Sequence, residues 1–224
     1  MAGRKTPLVN GEIYHVFNRG ISLQPTFFDR RDYKRMFDAM IYYQNLNPPM
    51  KLSLFLTSSK EKREIFLDKY RKEDNYLVEI ICYCFMLNHL HFLLRQLTDN
   101  GISIFMSKLT NSYTRYLNTK KERNGPFFQG RFKSVRIESN EQLLHVSRYI
   151  HLNPLSSLLV RNFSELEEYK YSSLPEYLGQ SGKDYCQKEI ILDQFKNTDD
   201  YQKFVSDQAE YQRNLEVIKH LIHE

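Results

Sequence analysis

Tryptophan is absent from the 224-residue chain, and cysteine occurs only at Cys82, Cys84 and Cys186. Three cysteines are too few for a disulfide scaffold and suit a reducing cytosol. Cys82 and Cys84 share one face of an apolar run, which reads as packing, and without a second cysteine pair they do not make a zinc site. No apolar run approaches the roughly 18 residues of a membrane span, and the opening stretch MAGRKTPLVNGEIYHVFNRG has no apolar signal-peptide core. The expectation is therefore a cytoplasmic protein with no membrane partner. There is no GxxxxGK[ST] loop for a nucleotide, no internal repeat and no low-complexity tract. What is present, with 41% hydrophobic and 14% aromatic residues, including sixteen Tyr and fifteen Phe, is enough to bury a core.

The net charge of +5 is unevenly spread. Residues 163–224 carry seven Lys/Arg against thirteen Asp/Glu, net −6, so residues 1–162 carry +11. Within the basic part, Gly101 to Arg136 holds Lys108, Arg115, Lys120, Lys121, Arg123, Arg131, Lys133 and Arg136 against the single acid Glu122. Such density attracts polyanions, phosphate backbones above all, if the charges cluster in space as well as in sequence.

Residues 1–162 read as one domain and 163–224 as an appended, acidic, mainly helical region. Ile13–Arg19 is a β-branched and aromatic run closed by Gly20, the mark of a strand. Asp29 to Leu46 places Tyr33, Met36, Phe37, Met40, Ile41 and Tyr43 at helical spacing. Residues 58–75 are highly charged and are expected to form a mobile excursion. The nearly continuous apolar run Tyr76 to Met86 suits a buried strand, and after Asn88 the segment His89 to Gln96 returns as its hairpin partner. Ile102, Phe105, Leu109, Tyr113, Tyr116 and Leu117 form one stripe of an amphipathic helix. Phe132 to Glu138 alternates as a strand, and Ser139 with Gln142 is a capping-box signal for a further helix. That helix is expected to stop near Leu152, because Asn153 precedes Pro154. The order β, α, β, β, α, β predicts an α+β fold: a ferredoxin-like split βαβ with an antiparallel sheet, one helix added after the last strand and an α-helical C-terminal extension.

His89 and His91, two apart on a predicted strand, project from one face and could grip a divalent ion, although a polar pair on a solvated sheet face would look the same. On the added helix, whose core stripe is Leu143, Val146 and Ile150, Tyr149 sits at the flank, where it could face the open sheet surface. Asn153, four residues on, projects from nearly the same side. Tyr113 and Tyr116 are rival reactive tyrosines, but their place on a core stripe is explained by packing. His145, one turn before Tyr149, reads as a surface histidine, and His15 as a core or sheet-surface one without a role.

Several spaced stretches together resemble the single-tyrosine HUH transposases, and in particular their REP-associated branch. His-Leu-His at 89–91, inside MLNHLHFLL at 86–94, fits the HUH motif; GPFFQGRFK at 125–133 and RYIHLNP at 148–154 look like two further signatures. YHVFNRG at 14–20 and YSSLPEYLG at 171–179 also fit, so the resemblance spans about residues 10–180. It implies an enzyme that cleaves and rejoins single-stranded hairpin DNA through a covalent 5′-phosphotyrosine. By the same resemblance Tyr149 matches the nucleophile, His89 and His91 the metal pair, and Asn153 the slot of a third, amide-bearing ligand.

Two neutral imidazoles and an amide would leave Mg²⁺ or Mn²⁺ with open positions for water and phosphate. Arg19, Arg95, Arg131, Lys133, Arg136 and Arg148 are candidate phosphate contacts, and Phe127 and Phe128 candidate platforms for unpaired bases. The resemblance further implies a homodimer, at least transiently, since the single-tyrosine relatives need two active sites for strand exchange, and association with the nucleoid when DNA is bound. Two rivals remain at this point: a catalytically idle hairpin-DNA binder or repressor of the same fold, and an RNA-binding ferredoxin-like domain using sheet aromatics.

Overall fold

The computed structural model describes residues 7–72, 75–182 and 184–209. Four strands, β1 (Ile13–Arg19), β2 (Val78–Phe85), β3 (His89–Gln96) and β4 (Lys133–Arg136), form one sheet in the order β2-β3-β1-β4. Every neighbouring pair is antiparallel. With α1 (Arg30–Tyr43) between β1 and β2, and α4 (Gly101–Lys120) between β3 and β4, this is the ferredoxin-like split βαβ arrangement. Helix α5 (Asn140–Ser156) follows the last strand, as the spacing predicted.

The two-residue period of β1 and β3 decides what each face of the sheet does. Tyr14, Val16, Leu90, Phe92 and Leu94 are buried, and the Phe92 ring meets Phe105 of α4 edge-on at 5.7 Å. The predicted stripe of α4 is buried accordingly, at Ile102, Phe105, Leu109, Tyr113 and Leu117. On the opposite face Arg19 pairs with His89 and Phe17 with His91. Here α5 approaches, bringing Tyr149 edge-on to His91 at 5.7 Å. The sheet is thus the partition between a packed core and a chemically furnished cleft.

Two expectations give way. The stretch 58–75, expected as a mobile excursion, carries a regular helix, α3 (Lys60–Lys72), preceded by α2 (Leu52–Thr57), while residues 73 and 74 lie outside the described set. One aromatic from each helix meets at a common point. Phe55 and Phe66 pack on the Tyr42 ring at 4.7 and 5.5 Å and on each other at 5.0 Å, and such a tertiary anchor stabilises a helix whose own periodicity is weak. Second, α5 does not stop near Leu152 but carries Pro154 inside its last turn and ends at Ser156. So near the helix end the proline removes one N–H from a ladder that is already closing. Side chains return donors to it: Asn153 Nδ2 donates to the Tyr149 carbonyl at 2.8 Å and Ser156 Oγ to the Leu152 carbonyl at 3.1 Å. The start of α5 is as expected, with Gln142 N–H donating to Ser139 Oγ at 3.1 Å and Gln142 Oε1 accepting from Glu138 N–H at 2.7 Å.

Beyond Asn162 come the short helices α6 (Phe163–Glu167), α7 (Leu174–Tyr177), α8 (Glu189–Leu192) and α9 (Thr198–Ser206). They place Leu166, Leu174, Tyr177, Ile191, Tyr201 and Val205 in the same apolar cluster as the sheet. This region also covers the open edge of β2: Phe85 N–H donates to Tyr171 O at 2.9 Å, Ser173 N–H to Tyr83 O at 3.0 Å and Gln187 N–H to Ile80 O at 2.9 Å. His151 on the back of α5 is fully buried, its Nδ1 2.8 Å from Tyr201 Oη and its Nε2 2.8 Å from Ser173 Oγ. That imidazole ties the helix bearing Tyr149 to the C-terminal helices. Cys82 and Cys84 are buried, with desolvation pushing both thiols up, as packing residues should be. No described helix is long and apolar enough to cross a membrane.

One polar hub sits away from the cleft, at the junction of α1 and α4. The Asp32 carboxylate is fully buried, accepts from Phe28 N–H at 2.9 Å and Tyr116 Oη at 3.0 Å, and pairs with Lys120. Asp32→Ala would leave these donors without their acceptor, and removing one member of a buried charged network costs about 3–5 kcal/mol. Chemical denaturation should show a loss of that size. A loss below about 1 kcal/mol would mean that water already shares the site.

Candidate active site

The cleft opens beside the C-terminal end of β1 and is lined by His15, Phe17, Asn18 and Arg19 of that strand, and by His89 and His91 of β3. Gln129, Arg131, Lys133 and Tyr149 complete it. Three of these residues are cationic and none is acidic, so the cleft carries net positive charge. Gly20 permits its tight construction. The chain turns there against the next strand connection, Gly20 N–H donating to Asn88 O at 2.7 Å, and a Cβ would fall 2.3 Å from the Gln24 carbonyl. Next to it Gln129 N–H donates to Arg19 O at 2.8 Å, holding the loop that carries Gln129 and Arg131 against β1.

His89 and His91 project to the same face, as the spacing required, with ring centroids 5.0 Å apart. Their protonation is set by what holds them. Asn88 Nδ2 donates to the Leu23 carbonyl at 3.0 Å, which turns its Oδ1 toward His89 Nδ1 at 2.6 Å. A carbonyl oxygen can only accept, so the His89 proton is on Nδ1 and Nε2 keeps its lone pair. Burial lowers the His89 pKa to about 4, helped by the Arg19 cation, while the Asn153 side chain, which accepts from the protonated ring, acts the other way. Burial also lowers His91 well below the usual range, His89, His15 and Arg19 adding to the effect. Both imidazoles are therefore neutral at pH 7, the state in which histidine binds metal.

Asn153 is within hydrogen-bond reach of His89 and is itself buried. Among the described residues no three His, Cys, Asp or Glu side chains gather to hold a metal ion. The donor set offered is two neutral imidazoles and the neighbouring amide, which fits a hard divalent ion that keeps part of its water shell.

Tyr149 is 41% exposed, and its ring stands edge-on to both His91, at 5.7 Å, and His15, at 5.9 Å. The rival tyrosines lie on the other side of the sheet. Tyr113 Oη donates to the Thr26 carbonyl at 2.6 Å inside the core, and Tyr116 Oη to Asp32.

The expected DNA contacts divide. Arg19, Arg131 and Lys133 line the cleft. Arg95 is engaged with Glu79 at 2.6 Å and Arg136 with Glu12 at 2.7 Å. Arg148 is not a surface cation: it is buried, donates to the Phe204 carbonyl at 3.2 Å and lies 4.2 Å above the Phe204 ring. Phe127 and Phe128 offer no stacking face either. They are 1% and 4% exposed, Phe127 beneath the Arg123 guanidinium at 4.1 Å and Phe128 packed toward Tyr113. Their aromatic surface anchors the loop, and the residue after them, Gln129, is the one that reaches the cleft. His145 is outside it, its Nδ1 2.7 Å from Arg148. His15, in contrast, has moved from no role to the centre of the site.

The buried neutral histidines make stability depend on pH. Desolvation lowers His15 to about 4 and His151 to about 3, against about 6.5 in the unfolded chain. Below pH 6.5 the unfolded state takes up protons that the folded state refuses. Stability is therefore full above about pH 6.5 and falls from there to about pH 4, by up to about 1.4 kcal/mol per pH unit for each such group. Calorimetric melting should show Tm dropping across that window. A flat Tm from pH 7 to 5 would contradict the neutral, buried histidines.

A family model described as IS200-like transposase matches residues 54–153, which include His89, His91, Tyr149 and Asn153. No curated protein matches the sequence. Among solved structures, a REP-associated tyrosine transposase bound to a REP hairpin is similar in fold, with a TM-score of 0.56 and 14% identity, covering 84% of this chain and 94% of that one. The matched stretch takes in the motifs at 86–94 and 125–133 and most of 148–154, and the fold is shared with the solved transposase.

Proposed function

We propose that the protein is a transposase of the IS200-like type that cleaves and rejoins single-stranded hairpin DNA, with Tyr149 as its nucleophile. The observation that carries this reading is the placement of the Tyr149 ring beside His91 in a cleft bearing three cations and no acid. The IS200-like match and the hairpin-bound relative support DNA as the substrate class.

Arg19, Arg131 and Lys133 draw in and position a phosphodiester that would otherwise be repelled by an approaching oxyanion. A phenol with an ordinary pKa of about 10 is a poor nucleophile at neutral pH. Mg²⁺ or Mn²⁺, held by His89, His91 and Asn153, would supply polarisation of a nonbridging oxygen and stabilisation of the departing 3′ oxygen. Tyr149 Oη forms a bond to phosphorus as the bond to the 3′ oxygen breaks. The phenol gives up its proton and the leaving oxygen takes one up, leaving a 5′-phosphotyrosine and a free 3′-OH. Attack by a different 3′-OH reverses the step, so bond energy is conserved and no nucleotide is consumed. Exchange between two cut ends calls for two such sites, hence a pair of protomers.

Incubating the protein with end-labelled hairpin DNA and Mn²⁺ should yield a cleaved strand ending in 3′-OH. Tight hairpin binding with no cleavage at any divalent ion would favour the catalytically idle reading.

A further inference from the structure

His15 belongs to no metal or nucleophile motif, yet it lines the cleft beside His91. Its Nε2 lies 2.9 Å from His91 Nδ1, and the two rings stack at 5.1 Å with an 18° tilt. The two residues occupy adjacent strands in diagonal register: His15 is directly opposite Leu93, and His91 opposite Phe17. Phe17 packs on both imidazoles, at 5.0 and 5.8 Å, fixing their relation.

One proton is shared across this N···N contact, and its location decides what His91 can do. If His91 Nδ1 holds the proton and donates to His15 Nε2, His91 Nε2 keeps a lone pair. If His15 donates instead, neutral His91 carries its proton on Nε2 and has no electron pair to offer on that side. Asn88 settles the same question for His89 with a carbonyl oxygen, but His91 has an imidazole in that place.

We infer that His15 is a positioning residue which accepts a hydrogen bond from His91 Nδ1–H and so leaves His91 Nε2 with the lone pair that a divalent metal ion would take. The inference rests on the metal reading of His89 and His91 and adds the residue that prepares one of them. Outer partners of this kind fix tautomer and ring orientation, and their loss typically costs about 10–100-fold in metal affinity.

The test is Mn²⁺ binding to the metal-free full chain, read from the electron paramagnetic resonance signal of free Mn²⁺. His15→Phe keeps an aromatic ring against Phe17 and Tyr149 but removes the acceptor, and should weaken Mn²⁺ binding about 10–100-fold. His15→Gln returns an acceptor and should restore affinity to within about threefold of the parent, a rescue that a mere packing role would not give. Wild-type affinity in His15→Phe, or equal loss in both variants, overturns the proposal. His89→Ala run alongside separates the two layers: if it too binds Mn²⁺ normally, the metal site itself is wrong and the proposal falls with it. A reading that needs no variant is the long-range ¹⁵N–¹H correlation spectrum of the labelled wild type. It should show the His91 proton on Nδ1; a proton on Nε2 overturns the proposal.

Discussion

Tyr149→Phe is expected to abolish strand cleavage, by on the order of 10⁴-fold or more, while hairpin binding stays within about twofold of the parent. Removing a nucleophile outright costs orders of magnitude because the remaining groups have nothing to activate. The substitution deletes one oxygen and keeps the ring that meets His91 and His15, so the cleft retains its shape and its cations. Tyr116→Phe is the matched control. It breaks the hydrogen bond to Asp32, which costs about 1–3 kcal/mol of stability, and should leave cleavage near the parent rate. Cleavage that survives Tyr149→Phe but is lost in Tyr116→Phe would reverse the assignment. Gel shift without metal and quenched cleavage time courses measure the two quantities separately.

His89→Ala should raise the Mn²⁺ concentration needed for half-maximal cleavage by more than the roughly 100-fold upper range seen for outer partners, because a ligand is removed rather than its support. Hairpin binding without metal should persist, since Arg19, Arg131 and Lys133 are unchanged. His89 is the better choice for this experiment than His91, which is buried, so that truncation there would open a cavity beside Phe17. His145→Ala is the control: that imidazole is outside the cleft and in contact with Arg148, and its removal should leave the metal requirement unaltered. Equal metal dependence in His89→Ala and the parent would remove His89 from the metal site.

Much of this was legible in the sequence because it depends on local period. The limits of β1 and β3, the amphipathic stripe of α4, the cap of α5 at Ser139 and the shared face of His89 and His91 all follow from spacings of two or 3.6 residues. His15 was not legible for a definite reason. Alternation along β1 puts His15, Phe17 and Arg19 on one face, but only the register with β3 says that this is also the histidine face.

Arg148 and the pair Phe127 and Phe128 failed in the opposite direction. Charge and aromatic character marked them as DNA contacts, whereas their surroundings, Phe204 for the arginine and Arg123 and Tyr113 for the rings, come from distant or local segments that no period reveals. The helices at 52–72 were hidden similarly, since Tyr42, which anchors Phe55 and Phe66, lies outside them. The charge asymmetry gained a physical meaning: every residue lining the cleft lies at or before Tyr149, in the basic part of the chain.

Locating the bond decides whether Tyr149 becomes covalently joined to DNA. Wild-type protein is incubated with hairpin DNA and Mn²⁺, denatured and digested, and the peptide retaining nucleotide mass is sequenced by mass spectrometry. A 5′-phosphate ester on Tyr149 is expected; an adduct on Tyr113, Tyr116 or any other residue, or cleavage with no adduct, would rule out Tyr149 as the nucleophile.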